Sequence, residues 1–228
     1  MHRTLLASAA AAALFAAPAS AAAVASGYAY SSLFLFDWDG DINDLEVETF
    51  DPINETEKDS VGFAKADAMS NGEVDGAFGF VEVLTTADAP FDGAAYADAF
   101  SNIEWFLENT GSDPLTLYFD FEYEMDAFTQ VDAIPDDLAD QYTEIAVSLD
   151  GFGDLFYLLS TLEDDDAPFF ESDDFEISFT LEGGASEVLA LDALSESYAD
   201  TITPIPLPAP AALLLGGLGA LGLMRRRA

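Results

Sequence analysis

The residues that could do chemistry in this 228-residue chain are nearly all oxygen donors. There are 44 Asp and Glu against 6 Lys and Arg, with one His and no Cys. The densest run is Asp37-Trp38-Asp39-Gly40-Asp41-Ile42-Asn43-Asp44-Leu45-Glu46-Val47-Glu48. With Asp37 as position 1, Asp39, Asp41 and Asn43 fall at 3, 5 and 7, and Glu48 at 12. Alternate residues of a tight loop can point inward around one hard cation, so Asp37, Asp39, Asp41, Asn43 and Glu48 are candidate Ca2+ ligands. Such a loop needs glycine at position 6 for its sharp turn, where this chain has Ile42. The flanks also read as strand, which argues against a helix-flanked calcium loop. Two expectations stay open: a strand-to-strand loop that holds calcium by another geometry, and a solvated acidic turn.

A second acidic patch, Glu163 to Asp166 and Glu171 to Asp174, brackets Pro168-Phe169-Phe170. It reads as a charged loop held down by two anchoring Phe, or as a surface that collects divalent cations. Trp38 and Trp105 are the natural residues to stack on a sugar ring, although each reads first as a core residue. Hydrolysis by paired carboxylates is the enzyme class that the inventory leaves open. Among 44 acids no pair is singled out, so the chain reads as non-enzymatic. The single histidine, His2, falls in a segment expected to be removed, so triads that use His or Cys and His/Cys zinc sites are excluded. Lys58 and Lys65 are the sole bases among the acidic residues, which run from Asp37 to Asp200. That body repels nucleic acid and anionic head groups, attracts cations, and has little with which to steady a phosphate.

The positive charge sits at the ends. Residues 1–21 have a short basic start (His2, Arg3), an apolar stretch from about Leu5 to Ala17, and Pro18 before small residues. Ala19-Ser20-Ala21 fits signal-peptidase cleavage after Ala21, with slippage to Ala23 or Ala25 as the variant outcome. Residues 204–228 read as a Pro-rich breaker, an apolar run from Ala209 to Met224, and Arg225-Arg226-Arg227. The 16 apolar positions fall short of the roughly 20 that span a bilayer comfortably. The Arg cluster would remain cytoplasmic, so the tail reads as a marginal membrane stop, much like the transient tails that processing enzymes remove.

Ile205-Pro206-Leu207-Pro208-Ala209, the Gly/Leu-rich run and the terminal arginines together resemble the VPLPA-CTERM variant of the PEP-CTERM sorting signals. Ile205 stands where Val is usual. The resemblance covers residues 204–228 only. It implies a Gram-negative source, transient anchoring in the inner membrane through the tail, cleavage by an exosortase, and delivery to the cell surface or beyond it. Cargo of that family is associated with exopolysaccharide or biofilm matrix.

Between the two ends, residues 22–203 alternate apolar and polar with a period of two. The clearest case is Leu115 to Met125, where odd positions are apolar. Similar patterns occur at 28–36, 45–50, 61–69, 77–84, 103–107, 142–149, 155–159, 175–181 and 188–191. Turn chemistry separates them at Asp39-Gly40, Asn71-Gly72, Asp92-Gly93, Asn109 to Pro114, Asp150-Gly151 and Gly183-Gly184. Asp136 to Gln141 is the one segment that suggests a helical turn. About ten strands joined by short turns predict an all-β fold, a single antiparallel sandwich flanked by the signal peptide and the apolar sorting helix. The function expected is that of a non-enzymatic exported surface or matrix protein, with signal peptidase and exosortase as partners. The alternative is a carbohydrate-binding module for exopolysaccharide, and the third reading is a carboxylate-dependent glycan hydrolase.

Overall fold

A computed structural model describes residues 22–90, 93–131, 137–150, 153–164 and 166–201. Ala19 and Ala21, Ile205 to Ala209 and Arg225 to Arg227, with both predicted sorting segments, lie outside the described residues. Among the described residues no helix is long and apolar enough to cross a membrane.

The alternation resolves into eleven strands: β1 (Ala23–Asp39), β2 (Leu45–Thr49), β3 (Ile53–Gly62), β4 (Lys65–Asp75), β5 (Phe78–Ala89), β6 (Gly93–Asn109), β7 (Leu115–Val131), β8 (Leu138–Leu149), β9 (Gly153–Glu163), β10 (Phe169–Leu181) and β11 (Ser186–Thr201). Two antiparallel sheets pack as a sandwich. One has the order β10-β7-β1-β5-β4; the other has the order β2-β6-β11-β8-β9, and β3 pairs with β6 beyond the end of β2. Strands β1 and β11 lie at the centres of the two sheets and face each other.

The sandwich interior is graded along the strands. At one end Leu33, Ile103, Trp105, Leu117, Phe119 and Phe121 are buried, and Phe121 packs 5.0 Å from Phe156 and 5.3 Å from Phe175 between ring centroids. At the other end the buried set is alanine: Ala23, Ala25, Ala87, Ala89, Ala95, Ala139 and Ala199. Between them lies a buried polar belt. Thr85 Oγ1 of β5 is 2.7 Å from both Ser195 Oγ and Ser197 Oγ of β11. Gln141 Nε2 of β8 donates to Thr143 Oγ1 at 2.9 Å and Ser195 Oγ at 3.0 Å, and Ser197 Oγ donates to Gln141 Oε1. The belt therefore bonds β5 of one sheet to β11 of the other. Gly27 of β1 leaves the space it needs, since a Cβ there would lie 1.9 Å from Gln141 Nε2.

Three expectations are corrected. The strand expected over 61–69 is cut at Phe63–Ala64 into β3 and β4. The turn expected at Asn71-Gly72 is the interior of β4, where Gly72 pairs with Val81. The two sheets approach closely there, because a Cβ on Gly72 would lie 2.7 Å from Ser101 Oγ. The turn that joins β4 to β5 is Gly76-Ala77, with Gly76 at φ +58, a value that glycine adopts without strain. The helical turn expected at Asp136 to Gln141 is strand from Leu138 onward, because Ala139 and Gln141 point into the interior.

Gly27→Ala should force Gln141 out of the belt and leave buried hydroxyls without partners. We expect a loss of about 3 kcal/mol of folding stability, read by chemical denaturation. Ala29→Gly, one inward position along the same strand, should cost only about 1 kcal/mol.

Candidate functional site

The calcium candidates occupy a strand end, a turn and a second strand. Asp37 and Asp39 close β1, opposite Tyr118 and Thr116 of β7, and Asp37 Oδ1 accepts from Trp38 N at 2.9 Å. Asp41 caps a single 3-10 turn, Ile42–Asp44. Its Oδ1 accepts from Asn43 N at 3.1 Å and Asn43 Nδ2 at 2.7 Å, which holds the Asp41 carboxyl below the usual carboxylate range. Glu48 lies on β2, opposite Phe106 of β6. These donors are thus spread over both sheets, with Asp41 and Asn43 engaged to each other. Among the described residues no three Asp, Glu or His side chains gather where they could hold a metal ion.

The two tryptophans separate. Trp105 is 1 % exposed and its Nε1 donates to Gly76 O at 2.9 Å, so it belongs to the core. Trp38, past a bulge between Leu35 and Asp37, is 42 % exposed. In the second acidic patch Phe169 packs on the core as an anchor, whereas Phe170 is 62 % exposed. Glu171 accepts from Tyr123 Oη at 2.9 Å, and Glu163 N donates to Asp166 Oδ2 at 3.0 Å. Asp165 lies outside the described residues.

Neither acidic run is the most developed surface. In-register pairing aligns outward side chains in rows across each sheet, with neighbouring Cβ atoms about 5 Å apart. On the five-stranded sheet one row reads Ser172, Glu124, Tyr30, Glu82, Asn71, and the adjacent one Phe170, Asp126, Tyr28, Leu84, Met69. On the six-stranded sheet the rows are Asp59, Tyr96, Tyr198, Asp140, Glu163 and Glu57, Asp98, Glu196, Tyr142, Thr161. Both faces therefore set partly exposed tyrosines directly beside carboxylates. Tyr28 Oη donates to Glu82 Oε1 at 3.4 Å, Tyr142 Oη to Glu144 Oε2, and Tyr198 Oη to Asp200 Oδ2 at 3.2 Å. Burial and the charges of Glu82 and Glu124 push the Tyr28 hydroxyl up to about 12. The hydrogen bond to Glu144 raises Tyr142, while burial, then nearby carboxylates, raises Tyr96 and Tyr198. All four remain protonated donors at neutral pH.

The same rows place like charges together. Asp98 lies between Glu57 and Glu196, and burial and those neighbours raise its pKa. Burial and Asp164 raise Asp140. Asp192 is raised mainly by burial and also by Glu104, Glu144 and Asp154, against the bond from Asn102 Nδ2 at 2.7 Å. Among the described residues an ion pair joins Lys58 Nζ to Asp67 Oδ1 at 3.2 Å; both side chains are exposed, so it offsets little of this repulsion.

No family model and no curated protein matches the chain. Among solved structures, a family 11 carbohydrate-binding module from Clostridium thermocellum in complex with a mixed-linked tetrasaccharide is 11% identical. The alignment covers 75% of this chain and 96% of that one at a TM-score of 0.11. The family 11 module of the C. thermocellum cellulosomal cellulase Lic26A-Cel5E is likewise 11% identical, with 62% and 86% coverage and a TM-score of 0.11. At that score neither likeness carries an argument about function.

Asp98, Asp140 and Asp192 bind their protons more tightly in the folded chain than in the unfolded one. The cost of burying these charges, and of their repulsion, is therefore fully present above their raised pKa values and is relieved as pH falls through them toward the ordinary carboxylate range. The melting temperature should rise on going from pH 7 to pH 5. It should also rise with NaCl at pH 7, by screening, and respond less to salt at pH 5. Differential scanning calorimetry across both variables checks each sign.

Proposed function

We propose that this chain is an exported, non-enzymatic protein that works at the cell surface or in the extracellular matrix as a rigid binding scaffold. The observation that carries the binding role is the pair of outer faces, each with tyrosine hydroxyls and rings set among carboxylates on a sheet fixed from within. The lack of His and Cys in the acidic body supports a binding role over a catalytic one. Export is supported by the two cationic ends and by the likeness of residues 204–228 to exosortase sorting signals. The burial of Ala23 and Ala25 in the sandwich favours signal cleavage after Ala21, since cleavage after Ala25 would remove two core residues of β1. A second reading, a carbohydrate-binding module for exopolysaccharide, is favoured by the tyrosines of these faces, because aromatic rings pair an apolar surface with a polar handle.

Mass spectrometry of the protein recovered from the surface of its producing cells tests the processing. The expected species begins at Ala22 and lacks Arg225, Arg226 and Arg227. Surface material that retains the arginines would overturn exosortase processing, and a start at Val24 or Ser26 would overturn the cleavage site.

A further inference from the structure

The two faces carry the same chemistry on opposite sides of the sandwich. On the five-stranded sheet Tyr28, Tyr30, Glu82, Glu122 and Glu124 surround a shallow concavity of about 450 Å³. On the six-stranded sheet Tyr96, Tyr142, Tyr198, Asp140, Glu163 and Glu196 surround another of about 330 Å³. Strands β1 and β11 pack against each other through their inward residues, so the side chains of the two concavities point in opposite directions. Packed sheets lie about 10 Å apart, too thick a wall for one ligand to touch both faces without wrapping round an edge.

The charge of these faces narrows the ligand. With 44 acidic residues in the chain, an anionic polymer is repelled. A neutral one would donate hydroxyls to the carboxylates but leave their charge uncompensated in a partly desolvated contact. A polymer of amino sugars with free ammonium groups suits both residue types. Its ring faces stack on tyrosine, and its N–H groups donate to carboxylates that recur at strand spacing, about 4.8 Å. We propose that the sandwich is a bivalent cross-linker of a cationic amino-sugar glycan, with one polymer chain held on each face. This rests on the binding reading above and adds to it the ligand class and the number of sites.

The experiment titrates the purified full chain with a glucosamine hexamer by calorimetry and with long glucosamine polymer by light scattering. Two sites per chain are expected, both weakened by NaCl. Scattering should pass through a maximum with added protein and clear again when protein is in excess, as cross-linking by a bivalent binder requires. Tyr28→Ala with Tyr30→Ala, and separately Tyr96→Ala with Tyr198→Ala, change no charge. Each pair should reduce two sites to one and abolish the maximum, while the corresponding Tyr→Phe pairs keep both. Circular dichroism and melting confirm that each variant is folded; where an Ala pair is not, Glu82→Gln with Glu124→Gln, or Asp140→Asn with Glu196→Gln, takes its place and should likewise leave one site. Scattering unchanged in both Ala pairs would mean a non-specific polyelectrolyte complex and overturn the proposal, as would equal, tyrosine-independent binding of polylysine. Binding only of the N-acetylated hexamer would overturn the cationic ligand yet leave the binding reading standing. If neither hexamer bound, both the proposal and carbohydrate binding would fall.

Discussion

The rest of the structure depends on the buried hydrogen-bonded belt formed by Thr85, Gln141, Thr143, Ser195 and Ser197. A sandwich core is usually held by apolar contact, which is non-directional and tolerates sliding. Hydrogen bonds between sheets are directional, and in a low-dielectric interior a lost partner is costly. Slipping β11 by one residue against its neighbours would turn Ser195 and Ser197 to the solvent face. Slipping it by two against β8 would leave one serine opposite Gln141 or Thr143 and set the other opposite Ala139 or Ile145, so half of the belt would be lost. The belt accordingly fixes the register of β5, β8 and β11 together, and Gly27 is the empty space that lets Gln141 reach across.

With the register fixed, the outer faces follow. Every inward position filled by alanine, glycine or serine has an outward neighbour free to carry a tyrosine or a carboxylate, and pairing aligns these into rows. The rows concentrate negative charge on partly buried positions, and burial first, then the neighbouring carboxylates, raises Asp98, Asp140 and Asp192. Repulsion of this kind is tolerable where salt screens it and useful where a cationic partner neutralises it. On the binding reading proposed above, stability and binding draw on the same electrostatic free energy. The core opposes the repulsion, and its aromatic end, around Trp105, Phe119 and Phe121, supplies most of the apolar burial.

What could be read along the chain depended on which residues face inward. Strand β7 is plain because its inward positions from Leu115 to Met125 are large and apolar. Only the last part of β6 and the first part of β11 show in the sequence, at 103–107 and 188–191. The remainder of each strand turns Ala95, Ala97, Ala99 and Ser101, or Ala193, Ser195, Ser197 and Ala199, toward the interior. Small and polar residues give no hydrophobic period, although they are as buried as the leucines. Strand β3 is hidden for the opposite reason: all ten of its residues are exposed, and it exists because the edge of β6 offers it hydrogen bonds. Asp75-Gly76, at the β4–β5 turn, is a pair of the same kind as Asn71-Gly72, and the pairing of β4 with β5 decides which of the two turns the chain.

The sequence by itself determined composition-level properties: a strand-rich, intensely acidic body without His or Cys, and two cationic, apolar ends with the order of parts that sorting signals have. Such properties are sums or local patterns, so no contact need be known. Tertiary structure alone decided which acids lie side by side. The dense run from Asp37 to Glu48 is spread over two sheets, whereas Tyr30, Glu82 and Glu124, dozens of residues apart in the chain, become nearest neighbours. Cross-strand adjacency is set by register, register is set by what fits inside, and the inside of this sandwich is a polar belt that no periodicity announces.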